Sequence, residues 1–492
     1  MLGSYMIENR KEDYQLFVTI KTNKFREEKV RCKVYLPERL TDPITLHFFP
    51  TEDQVPHLRN VFEFSMQGEI EDFSGAVATT IQAEKVYSIK LSSTDWGPEI
   101  TGHLLIGEPT DLQVIHFLSR DASNSFHKIT GRFWLTPSML LRPAQGISRT
   151  WTGDVKVKTV RQFNFTLANG LLLIFDNCFR YSNNRDGDTV TFAELIARYE
   201  VEEKDDIKEI NKNVLSFLDD FLLLVSFAER QRCICLGWET VNSKCITEYY
   251  RRNLTIPSLK EDHDYDDTLI PLEKFGDFIK KAYGKFIEIE PKEHIRQAIQ
   301  YTIYRKGRTV ENSFLTLYSA IESLVEHFGL RPHIIDPDQF KKTFVKDLIR
   351  WITGHPLFTD KNNRKLIYEK LNELNRVSFK SAFNKLCKDY YVDLQDLWPV
   401  VETTEGISLS EIRNKLVHGE TFFNPLQQKA ISTGEKHLRW TVERLILSVL
   451  GWNVSESDVS KGFLYSQIIP CYEEWRTDQE ILSGWHRALR GL

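Results

Sequence analysis

The feature that most limits the fold of this 492-residue chain is a change in the spacing of its apolar residues near Pro271. Before that point they recur in short β-branched and aromatic runs, at 16–20, 30–36, 44–49, 86–91, 112–118 and 129–135, the pattern of strands. After it they recur at helical spacing, over 273–286, 292–304, 310–328, 338–351, 361–374, 381–390, 409–418, 427–450 and near 479–489. The chain therefore reads as α+β: a β-rich N-terminal region, sandwich or partly open barrel, followed by an all-α bundle. Asn169-Gly170, between the apolar runs 163–167 and 171–175, predicts a hairpin with a type I′ turn, because both residue types tolerate positive φ.

At roughly 150 residues per domain the length leaves room for about three regions. We place a β-rich domain at 1–200, a connecting region at 201–270 and the helical bundle at 271–492. The connecting region holds a helix at 205–229, a strand-turn-strand segment at 232–250 and the acidic linker EDHDYDD at 261–267, in which His263 reads as a solvated residue. Cys233, Cys235 and Cys245 form a C-x-C followed by nine residues and one more Cys. That spacing lacks the paired knuckles of a zinc site, so they read as buried thiols, and neither metal nor cofactor is expected. Seven cysteines, an odd number scattered along the chain, fit a reducing compartment. The longest apolar runs reach five residues, against about 20 for a membrane span. The opening MLGSYMIENRKED lacks the parts of a secretory signal, so a cytoplasmic location away from membranes is expected. Charge divides the chain. Residues 271–492 carry 32 Lys and Arg against 29 acids, which leaves 32 against 40 for 1–270. If either part handles a polyanion, the balance favours the second.

The stretch SLSEIRNKLVHG at 408–419 carries the chemistry. Ser408 and Glu411 make a capping-box start, and Gly419 is a usual residue just past a helix end. At 100° per residue with Ile412 at 0°, Leu409 falls near 60° and Leu416 near 40°, one apolar stripe, while Arg413, Asn414 and His418 fall near 100°, 200° and 240°, facing away from it. Arg-x4-6-His alone is weak evidence; it also occurs at Arg120/His127, in a β-rich segment, and at Arg350/His355, broken by Gly354 and Pro356. Metal-free RNA cleavage needs a base for the 2′-OH proton, an acid for the 5′-oxygen and a cation for the phosphorane charge. Imidazole is the side-chain group suited to proton transfer near neutral pH, which His418 supplies, and Arg413 offers a planar fork that matches two phosphate oxygens. Asn414 is placed to bond the imidazole or a phosphate oxygen. The competing structural reading pairs Arg413 with a carboxylate such as Glu322 and makes His418 a helix cap. Lys415 reads as a solvated or phosphate-contacting residue, and Trp440 and Trp452 as bundle core.

IRNKLVHG at 412–419 resembles the R-N-x3-H motif of the HEPN superfamily, helical bundles that act mostly as RNases. The helix FLTLYSAIESL at 314–324 resembles the one that packs beside that motif, with Glu322 at the edge of its apolar face, placed to orient Arg413. The whole layout is similar to the ApeA family of bacterial anti-phage abortive-infection proteins. The resemblance implies an endoribonuclease cutting single-stranded loops, such as those of tRNA, held silent by the β-rich half until a phage-derived trigger arrives. One motif supplies one His where the chemistry wants an acid and a base, so a homodimer or higher even oligomer that pairs two motif helices is expected. The alternative is a non-catalytic HEPN module that only dimerises within a defence complex.

Overall fold

The computed structural model describes residues 13–22, 27–37, 42–58, 61–95, 101–118, 128–149, 155–183, 189–202, 207–251, 268–303, 309–329, 333–402, 406–419, 424–467 and 469–490. Two compact units emerge, one of Met1–Leu222 with Cys233–Asp264 and one of Leu223–Arg232 with Tyr265–Leu492.

The first unit is built on β1 (Tyr14–Lys21), β2 (Glu28–Tyr35), β3 (Thr45–Phe49), β4 (Glu63–Glu71), β5 (Val77–Asp95) and β6 (Thr101–Pro109). In the order β5-β4-β1-β2-β3-β6 these strands close on themselves through antiparallel β5–β6 pairing. The result is a closed six-stranded barrel, where the sequence suggests a sandwich or a partly open one. Its interior is set by period-two alternation. Leu16, Val18 and Ile20 are buried, as are Val30, Cys32 and Val34, while Phe17 between them is exposed.

From β5 the sheet continues outward through β7 (Asp111–Phe117), β15 (Cys245–Arg251), β14 (Cys235–Val241), β8 (Lys128–Leu135), β13 (Thr189–Glu202), β12 (Leu172–Asn183) and β11 (Asn164–Thr166). A separate pair joins β9 (Ala144–Arg149) and β10 (Val155–Arg161). The expected hairpin joins β11 and β12, but not by a type I′ turn. Among the described non-glycine residues only Arg230 and Tyr391 have positive φ, so Asn169 does not. Gly170 alone takes φ 84°, its N–H donates to Leu167 O at 2.9 Å, and Leu167 N–H donates to Leu171 O at 2.9 Å. The loop is the three-residue kind that ends on a left-handed glycine.

The connecting region of 201–270 requires correction, because its strands are integral to the sheet. β14 pairs with β8 and β15 with β7, so the hairpin is an interior part of the first unit. Cys233 and Cys235 are buried there, and burial pushes the Cys235 thiol up to about 12. Cys245 is half-buried, and among the described residues no group of three His, Cys, Asp or Glu is placed to hold a metal. Helix α1 (Ile207–Ala228) is divided. Phe221 stacks on Phe175 and packs at a tilt against Phe165 in the first unit, while Leu223–Arg232 belongs to the second. His263, the acidic linker and Arg120/His127 lie outside the described residues.

The second unit is helical, with α2 (Phe275–Glu288), α3 (Glu293–Thr302), α4 (Val310–Phe328), α5 (Phe379–Asp389), α6 (Leu409–Val417), α7 (Pro425–Val449) and α8 (Trp475–Arg490). The long helix α7 is its axis. Ile431, Leu438, Val442, Leu445 and Val449 are buried along it, and so are Trp440 and, just beyond its end, Trp452. Two buried charges on α7 are fully paired. Arg444 forks onto Asp396 at 2.7 and 2.8 Å, and Glu443 receives Nε and Nη2 of Arg230, both at 2.8 Å. His437 accepts the Trp398 backbone N–H and bonds Cys471 O through Nε2; burial pushes its imidazole down to about 4, so it is neutral at pH 7. Between α4 and α5 the stretch expected as helices 338–351 and 361–374 forms a π-turn at Phe340–Val345, helices at Lys346–Gly354 and Lys361–Lys370, and a 3-10 turn at Leu371–Asn375. No described helix is long and apolar enough to cross a membrane.

Candidate active site

Helix α6 begins with the capping box its sequence predicts: Ser408 Oγ accepts the Glu411 N–H, and Glu411 Oε2 accepts the Ser408 N–H at 2.8 Å. The next two orphan donors, Leu409 N–H and Ser410 N–H, reach Pro399 O and Val400 O, each at 2.9 Å. Inward, Leu409 and Ile412 are fully buried against α4 and α7. Gly434 of α7 faces this contact, where a Cβ would rest in ordinary van der Waals contact, 3.4 Å from Leu409 Cδ2 and 3.5 Å from Phe314 Cε2 of α4, so alanine would fit and anything much larger would not. A larger side chain would push the helices apart. At the other end His418 is the exposed C-cap, its N–H donating to Asn414 O, and Gly419 follows at φ 79°. The helix is thus anchored at its start and open at its finish.

The guanidinium of Arg413 does not point away from the core as the angular reading placed it. Its side chain is half-buried, turned toward α4, where Nη2 donates to Glu322 Oε1 at 2.9 Å. Nη1 donates to Asn414 Oδ1 at 3.2 Å, and the group lies over the Tyr318 ring, 5.6 Å from its centre. Tyr318 in turn donates its hydroxyl to Ser410 Oγ at 2.9 Å, and burial pushes its phenol up to about 12. Three side chains therefore fix one cation. The sequence reading foresaw Glu322 and missed Tyr318, although Tyr318 stands one turn before Glu322 on the same helix. That spacing was the available signal.

Lys415 corrects the expectation of a solvated residue, for it is only 7% exposed. Measured from Ile412 it falls about 60° to the side opposite Leu409, so the buried arc is centred on Ile412 and its aliphatic stem packs within it. Leu416, expected in the stripe, is only partly buried. Asn414 and His418 are exposed. The structure therefore unites Arg413, Asn414, Glu322 and Tyr318 in one bonded cluster and leaves His418 on the exposed end of the same helix.

Chemically the cluster offers a positioned cation, and the same helix carries a surface imidazole at its C-terminal end. The competing structural reading is accommodated equally well by the Arg413–Glu322 pair and by the cap. Compared with known proteins, the chain matches no family model, no curated protein and no solved structure.

Proposed function

We propose that the chain is a cytoplasmic, metal-independent endoribonuclease of HEPN type that acts in anti-phage defence by abortive infection. The observation that supports it is an oriented guanidinium and an exposed imidazole on one short helix, with Glu322 holding Arg413 at 2.9 Å. Arg413 binds two oxygens of the scissile phosphate. His418 of one protomer takes the 2′-OH proton, the 2′-oxygen attacks phosphorus, and the bond to the 5′-oxygen breaks. His418 of the second protomer protonates the leaving oxygen. Asn414 shares the guanidinium and reaches toward the same phosphate. The active species is a homodimer or higher even oligomer that pairs two α6 helices.

Unpaired loops, those of tRNA among them, suit this site because their bases splay away from the backbone, whereas duplex grooves hide theirs. The β-rich unit restrains the activity until a phage-derived trigger binds. The activated protein is expected to cut a single-stranded RNA at an undiminished rate in excess EDTA. Complete loss of cutting on chelation, restored by a divalent cation, would overturn the metal-free mechanism.

A further inference from the structure

The stretch 333–376 exposes more than its share of carbon among the described residues. Its own core is small, made of Phe340, Val345, Ile352 and Leu371. Around it Trp351 is 57% exposed, Leu357 81%, Leu366 62% and Phe344 48%. Seven of the 21 exposed large hydrophobics among the described residues fall here, in about a ninth of those residues. An exposed cluster of that kind marks a binding surface. Its aromatic centre is built: the Trp351 ring lies 4.6 Å from that of His355, which lies 5.6 Å from Phe358. The pair Arg350/His355, which the active site does not use, sits on this surface.

Charge says what fits. Lys341, Lys342, Lys346, Lys361 and Lys365 are exposed and make no ion pair among the described residues. Most of the neighbouring acids are engaged. Asp336 and Asp360 cap backbone N–H groups, Asp347 stands 3.4 Å from Arg350, and Glu373 stands 2.9 Å from Lys370. Cations and apolar side chains alternate along the sequence here, Lys342, Phe344 and Lys346 and then Arg350 and Trp351. A second copy of the same surface would bring unpaired lysines against unpaired lysines.

We propose that the stretch 333–376 grips single-stranded RNA, bases stacking on the exposed rings of Trp351 and Phe344 and phosphates meeting the free lysines. The choice of RNA among polyanions rests on the RNase reading of Arg413 and His418; the surface itself does not. Binding of a fluorescent single-stranded oligoribonucleotide to the full chain carrying His418→Ala, followed by anisotropy, tests it apart from cleavage. Trp351→Ala is expected to weaken binding about tenfold and Trp351→Phe to restore most of it. The triple change Lys341→Gln, Lys342→Gln and Lys346→Gln is expected to weaken binding and flatten its dependence on salt. All of these side chains are exposed, so the thermal melt should not move.

Binding unchanged in all three variants would overturn the proposal. So would capture of vesicles of anionic phospholipid in place of the oligonucleotide, or an effect of these changes on dimer dissociation alone. Cleavage that depends on Arg413 and His418, with binding indifferent to the stretch 333–376, removes this proposal and leaves the nuclease reading standing. Binding through the stretch 333–376 without cleavage does the reverse.

Discussion

Replacing His418 or Arg413 with alanine is expected to slow RNA cleavage by about 10²- to 10⁴-fold, the range over which a positioned proton donor or phosphate cation contributes. The fold should survive. Arg413 and Glu322 are 32% and 42% exposed, so their ion pair contributes less than about 1 kcal/mol, and His418 lies at the surface. Loss of activity with an unchanged melting curve is the combination that separates a site from a strut. Arg413→Lys is expected to restore little, because a point charge cannot occupy the fork that Glu322 and Asn414 orient. Protein in which both residues are replaced, yet which still cuts RNA or still protects cells from phage, would favour the alternative in which the bundle only dimerises.

The largest stability effect is expected far from that site, at Arg230. Glu443 is 1% exposed, and Arg230 supplies both of its charged hydrogen bonds. Arg230→Ala would strand a carboxylate inside the helical unit, at a cost of about 3–5 kcal/mol. In a unit of this size that lowers the melting temperature by on the order of 10 °C. Arg230→Met combined with Glu443→Leu should recover most of the loss, since an apolar pair of similar volume needs no partner. An equal loss in the double variant would show that packing rather than charge is at stake.

The same pair changes how restraint by the β-rich unit must be tested. A fragment cut at Pro271 loses Arg230 and the bonds that Leu269 and Ile270 make to Ala228 O. It is expected to be unstable for that reason alone, whatever the N-terminal unit does. A fragment that begins at Leu223 keeps all of them.

Sequence spacing located what depends on near neighbours. The capping box of Ser408 and Glu411, the glycine after His418 and the extent of α4 follow from residues within a turn or two of one another. The carboxylate for Arg413 was visible because Glu322 sits at a face edge of a helix that the motif itself pointed to. Closure of the barrel was not legible, for it depends on β5 serving β4, β6 and β7 along one 19-residue strand. The hairpin of β14 and β15 looked like a connector because its partners, β8 and β7, lie about a hundred residues earlier in the chain. Lys415 was misplaced because residue type was weighed above angular position. Arg230 carried no signal, since its partner stands 213 positions away.

The account turns on Arg413 and His418 working on a phosphodiester through the substrate's own 2′-hydroxyl. Its most direct test is to map the termini of RNA cut by the activated protein. A 2′,3′-cyclic phosphate, or its ring-opened product, opposite a 5′-hydroxyl is the predicted outcome. Fragments ending in a 3′-hydroxyl and a 5′-phosphate would mean that water, not the neighbouring hydroxyl, attacked, and would contradict it.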